Sequence, residues 1–209
     1  MTTVAFLAQL GLRETLPAFV DAYGFVPSRV HQSLAAGLTP GLEAAAVAGL
    51  SSMFLHGGWF HIIGNMLYLR VFGDNVEDRF GHVGFLALYL CAGLAGAAGQ
   101  YAFDPSSPVP MIGASGAVAG TLGAYLVLFP RAKVLTLFPV FVVFTFIEVP
   151  AMVFLGIWGL QQFLNGYLQV ADVLGSGGGV AWFAHIGGFA CGIVAGAVVR
   201  AVGRRRGST

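Results

Sequence analysis

Long apolar stretches separated by short polar ones set the pattern of this chain. A helix needs about 20 apolar residues to cross a hydrocarbon core of roughly 30 Å. Val83 to Phe103 and Ile112 to Phe129 contain no charged residue, and Val180 to Val199 contains one histidine and no other ionisable group besides Cys191. Trp59 to Phe72 is short, but apolar residues and Gly57-Gly58 precede it, so a span starting near Phe54 is expected. Val134 to Leu168 is too long for one span and is interrupted by Pro139 and by Glu148-Val-Pro150. The pattern there predicts an interfacial apolar loop followed by a span from about Val149 to Leu168. Five spans result, and no fixed-period repeat is visible.

The connectors differ in kind. Residues 73–81, GDNVEDRFG, are charged and short. Residues 104–110, DPSSPVP, are proline-rich and read as a loop, and 171–179, ADVLGSGGG, read as a flexible glycine loop. Residues 13–53 carry Pro17, Pro27 and Pro40 and read as an outer loop with short helices. Residues 1–12 are apolar, but at 1.5 Å per residue they reach only about 18 Å. They read as the remnant of a first transmembrane helix that continues upstream of Met1, and no signal peptide is recognised. The expected organisation is therefore 1–12 remnant helix, 13–53 outer loop, 54–201 transmembrane core and 202–209 basic tail. Of the ten Lys and Arg residues, Arg70, Arg79, Arg131, Lys133, Arg200, Arg204, Arg205 and Arg206 fall on one side of a five-span layout. That side is expected to be cytoplasmic, with the C-terminus on it.

Composition adds exclusions. Hydrophobic residues make up 57% and charged residues 9%, with 31 glycines besides. So few charges cannot coat a soluble globule, and they exclude a nucleic-acid binder with a basic patch. The chain is expected to be an all-α, multi-pass integral membrane protein whose main partner is the lipid bilayer. Cys91 and Cys191 sit in apolar stretches and read as packing residues, not as a disulfide or a metal site.

Polar groups inside a bilayer are costly, so each needs a reason. Gly113-Ala114-Ser115-Gly116 opens an apolar helix. Ser115 is either an N-cap or a nucleophile whose helix-start N–H groups could hold an oxyanion. His185 lies near the outer end of the last span and is either a carbonyl-bonded histidine or a general base. Gly116 and Gly120 on one helix, and Gly188 and Gly192 on the other, form small faces that let the two helices approach closely. Ser115 and His185 also fall at similar depth. His61 and Asn65, four apart, share a helix face as polar glue or as donors to an oxyanion. One histidine pair without a cysteine or carboxylate at ligand spacing makes no metal site. No acid accompanies Ser115 and His185 within the membrane, so any catalysis there is by a dyad, not a proteolytic triad.

Taken together and in this order, HGGWFHIIGNMLYL, VFGDNVEDRFG, GASGAVAG and AHIGGFACG resemble the rhomboid family of intramembrane serine proteases, over a match running from about Gly24 to the C-terminus. The resemblance implies a rhomboid-like helical bundle with an outward-opening wet cavity, here with five complete spans plus the truncated first helix. It implies Ser115 as nucleophile, His185 as general base, His61 and Asn65 as oxyanion helpers and Gly113 in the loop shaping the site. It further implies hydrolysis of peptide bonds in or near transmembrane segments of protein substrates, with no cofactor and in a bacterial plasma membrane. Many relatives carry an aromatic residue four positions after the serine; here that position is Ala119. A catalytically silent scaffold or chaperone of the same fold is the alternative, and a transporter would need polar residues nearer mid-bilayer.

Overall fold

The computed structural model describes residues 2–140, 143–171 and 180–206. Its helices, in chain order, are α1 (Thr2–Leu10), α2 (Leu16–Tyr23), α3 (Pro27–Ala36), α4 (Leu38–Ser52), α5 (Trp59–Phe103), α6 (Ser115–Leu128), α7 (Ala151–Val170) and α8 (Trp182–Arg206). A short 3-10 turn, Arg13–Thr15, joins α1 to α2. Strands β1 (Lys133–Val140) and β2 (Val143–Pro150) lie between α6 and α7. The residues expected to form the glycine loop, 172–179, lie outside the described ones.

Two expectations need correction. The charged segment 73–81 is not a connector: α5 continues through it, and the chain breaks its helical course at Gly81 alone, at φ 72° and ψ 162°. A left-handed backbone favours glycine, so one residue divides α5 into two arms that the hydropathy pattern had assigned to separate spans. The first arm begins at Trp59, not near Phe54. The second correction concerns the all-α class. The apolar segment after Ala132 is an antiparallel hairpin, registered from Lys133 opposite Pro150 to Val140 opposite Val143. Its valines, phenylalanines, threonines and isoleucine suit a pleated ribbon better than a helix. Lys133 and Glu148 pair at its base, 2.5 Å apart, which pushes the lysine pKa up.

Among the described residues, two helices are long and apolar enough to cross a membrane, α5 and α8, and α6 is a shorter apolar helix. α7 has 20 residues but carries Gln161, Gln162 and Asn165. The surface is apolar where a soluble protein would be polar: Phe60, Val83, Leu160, Phe163, Val194 and Val198 are all exposed. Apolar patches of this extent call for a lipid solvent.

α6 is the central element. Every residue from Gly116 to Tyr125 is buried, and α6 packs most extensively on α8 and next on α5. Glycine allows this. A Cβ on Gly188 would strike the Gly116 carbonyl, with the carbonyl carbon 2.8 Å away, and one on Gly192 would lie 2.8 Å from the Gly120 Cα. Backbone therefore rests directly on backbone along the α6–α8 seam. At the other end of this seam, Arg200 donates to the Val127 carbonyl (3.0 Å) and the Arg79 guanidinium lies 6.0 Å from the Phe129 ring centroid. Phe72, Val76, Leu122, Tyr125 and Leu155 fill the core between α5, α6 and α7. Cys91 is exposed and Cys191 half-buried, and both are free thiols.

Candidate active site

Ser115 is the first residue of α6, and Ala114 holds the cap position without any side-chain cap bond. The serine hydroxyl is thus released from the capping role that its place in the sequence allowed. It lies 2.8 Å from Nε2 of His185, in the first turns of α8. The α6–α8 seam, closing at Gly116 and Gly188, brings together two residues 70 positions apart.

The other ring nitrogen of His185 is also engaged. Nδ1 lies 2.8 Å from Oε1 of Gln162, on α7. Trp158 and Trp182 flank the imidazole with ring centroids 6.1 and 6.2 Å away, the first tilted and the second edge-on. Among the described residues no carboxylate bonds to His185, and the side chain one turn after Ser115 is the fully buried methyl of Ala119.

His61 and Asn65 sit in the opening turns of α5 and line the same cleft as Ser115 and His185. The cleft has a volume of about 1010 Å³, and Tyr68, Gln100, Asp104 and Trp158 also border it. Nδ1 of His61 accepts from the Gly57 N–H at 3.4 Å, which leaves the proton of a neutral ring on Nε2. That nitrogen abuts Gly113, where a Cβ would come within 2.5 Å of it. Gly113 has φ 121°, so both its conformation and its space require glycine. Its N–H donates to the Ser52 carbonyl at 2.9 Å, and paired bonds between Phe25 and Met111 fasten the strand before it to the α2–α3 junction.

His56 was not among the residues singled out from the sequence. It is 1% exposed, and its Nε2 lies 3.0 Å from the Asn65 amide nitrogen. The Asn65 N–H therefore donates to His56, which leaves its second amide hydrogen for the cleft. The His56 backbone is clamped in turn by Gln9 of α1, which donates to its carbonyl (2.8 Å) and accepts from its N–H (3.1 Å). Phe6 of α1 packs edge-on against Trp59 and His56. The short first helix thus braces the loop that holds Asn65. Spacing alone held one signal for His56: it flanks Gly57-Gly58 on the other side from His61.

A family model described as the Rhomboid domain matches residues 45–202. The chain belongs to the rhomboid family. It is similar to RHOMBOID-like protein 12, mitochondrial, of Arabidopsis thaliana, 35% identical over 168 residues that cover 72% of this chain and 46% of that protein. It is also similar to RHOMBOID-like protein 4 of the same plant, 35% identical over 152 residues, covering 72% of this chain and 33% of that one. Rhomboid protease GluP of Bacillus subtilis (strain 168) is 43% identical over 77 residues, covering 37% of this chain and 15% of its own length. This rhomboid therefore spans less than half the length of these curated relatives. No solved structure matches it. As a rhomboid it is an integral membrane protein, in keeping with its apolar exterior.

Proposed function

We propose that this rhomboid is an intramembrane serine endopeptidase that cleaves transmembrane protein substrates through a Ser115–His185 dyad. The observation that carries the reading is the 2.8 Å contact between the Ser115 hydroxyl and His185 Nε2 beside an open cleft. In this reading the hydroxyl donates to Nε2 and loses its proton to it as the oxygen attacks a substrate carbonyl. The first N–H groups of α6 have no intrahelical partners, so the Ser115 N–H is available to the developing oxyanion. Asn65 and His61 offer further N–H donors from the opposite wall. His185 then protonates the departing amine, and a water molecule deprotonated by the same ring releases the acyl group.

The polar walls of the cleft make room for that water within an apolar exterior. α6 has 14 residues, so it rises only about 21 Å, short of a hydrocarbon thickness of roughly 30 Å. A helix of that length, whose far end meets Arg79 and Arg200 at the inner boundary, begins well below the outer surface. The reaction is therefore assigned to the outer part of the bilayer, with the arginine-rich end cytoplasmic. The two arms of α5 together with α6, α7 and α8 supply the five spans. A substrate helix must unwind locally to present a carbonyl carbon, so segments with helix-weakening residues are the expected substrates.

The test is labelling by a fluorophosphonate together with cleavage of a panel of single-span proteins in liposomes. The parent should label at Ser115 and cleave. Ser115→Ala and His185→Ala should do neither while remaining folded. A folded Ser115→Ala protein with the parent's activity would refute the dyad, and a parent that neither labels nor cleaves would leave a silent scaffold.

A further inference from the structure

The Ser115–His185 pair needs its imidazole in one tautomer and one orientation, and among the described residues the groups that usually supply these are missing. Among the described residues no carboxylate contacts His185, and Ala119, buried and one turn below the serine, offers neither a ring nor a polar atom. The flanking indoles of Trp158 and Trp182 confine the ring, but an indole N–H can only donate. Among the described residues one acceptor meets the ring at Nδ1. Gln162 is 4% exposed, and its Oε1 lies 2.8 Å from His185 Nδ1.

A glutamine amide can present either end, so its own bonding decides. Gln162 Nε2 donates to the Trp158 carbonyl one turn back on α7, at 3.0 Å. That carbonyl can only accept, which fixes the nitrogen toward Trp158 and the oxygen toward His185. The oxygen in turn can only accept, so Nδ1 of a neutral ring must carry the proton. Nε2 is then left with its lone pair facing the Ser115 hydroxyl at 2.8 Å. A chain of four groups thus runs from the Trp158 carbonyl to the serine, and each link determines the direction of the next.

We propose that Gln162 is the positioning residue of this protease, an uncharged third member that holds His185 in its base-competent tautomer. The proposal rests on the Ser115–His185 reading above. A neutral acceptor suits a bilayer site: it orients the ring without burying a carboxylate, whose desolvation is costly. It also ties the reactive geometry to α7, a helix that supplies no atom to the reaction itself.

The experiment uses the full chain in liposomes with one cleavable single-span substrate and a fluorophosphonate. Gln162→Leu and Gln162→Met keep the bulk and remove the acceptor, whereas Gln162→Glu keeps an acceptor. The Leu and Met variants should stay folded and keep the parent's KM. Their kcat and their rate of labelling at Ser115 should both fall on the order of 10- to 100-fold, the scale of a misplaced reacting group. Gln162→Glu should recover most of that loss, which a packing role would not produce. Parent-like kcat in the Leu and Met variants overturns the proposal. So does a Glu variant as impaired as they are, or a loss expressed only in KM or melting temperature. A Ser115→Ala protein that still cleaves overturns the dyad itself, whereas failure of the Gln162 series with Ser115→Ala inactive overturns only the positioning role.

Discussion

Replacing Gly188 by alanine adds one methyl group where the α6–α8 seam passes closest to the Ser115–His185 pair. The new Cβ would lie 2.8 Å from the Gly116 carbonyl carbon and closer still to its oxygen. Carbon atoms rest at about 3.5 Å or more. The atoms in the way are backbone, so no rotamer can yield, and the helices must part by roughly 1 Å. Gly116 follows Ser115 directly and Gly188 lies one turn from His185. The Ser115–His185 contact, 2.8 Å in the parent, would therefore stretch by a similar amount and leave hydrogen-bonding range. Displacement of that size costs about 10²-fold in rate, and overpacking costs about 1–3 kcal/mol in stability. Cleavage of a single-span substrate in liposomes, read beside a thermal melt, separates the two effects. Gly156→Ala on α7 is the control, because a Cβ there meets nothing within 4 Å. A Gly188→Ala protein with parental kcat and melting temperature would refute the argument that backbone contact sets the distance.

Asn65→Ala removes a donor from the cleft and leaves His56 Nε2 without its 3.0 Å partner. Turnover per folded molecule should fall, by less than the roughly 2.7–4 kcal/mol of an essential oxyanion donor because His61 and the Ser115 N–H remain; single-turnover kinetics measures it. Gln9→Ala strips both bonds from the buried His56 backbone. Each orphaned group costs about 1–3 kcal/mol, so the melting temperature should drop although Gln9 touches no candidate catalytic group. Next to the Gly81 break, Glu77 raises the pKa of the exposed His82 above its usual 6.5. A raised pKa stabilises the fold below the unfolded value and loses that contribution as pH rises through the folded one. His82→Ala should therefore melt lower than the parent at acid pH and converge with it as pH rises through the folded pKa, a comparison that calorimetry makes directly.

Hydropathy and spacing made much of this legible. The uncharged runs around Val83–Phe103, Ile112–Phe129 and Val180–Val199 correspond to the second arm of α5, α6 and α8. The small residues at Gly116, Gly120, Gly188 and Gly192 pointed to the seam that positions Ser115 and His185. What stayed hidden has physical causes. Glu77 and Arg79 are good helix formers and Arg70 pairs with Asp74 one turn on, at 2.8 Å, so polarity at 74–79 did not mean a loop. The hairpin at Lys133–Pro150 is apolar on most positions, and alternation is invisible when both faces are apolar. His56 lies outside any helix, and its importance comes from Gln9, 47 positions away. Gln162 carried a legible signal, an amide in an apolar span, but its partner on α8 could not be read without the fold.

A seam made of backbone has a consequence for life in membranes of changing thickness. Helices facing a bilayer that is too thin or too thick respond by tilting and sliding. Side-chain interfaces can absorb such motion by changing rotamers, but Gly116 against Gly188 and Gly120 against Gly192 have no rotamers to change. α6 and α8 must then tilt as one rigid plank, carrying Ser115 and His185 together. The strain of mismatch is diverted to α7 and to the apolar ribbon before it, and there the lipid composition of the host membrane would leave its mark.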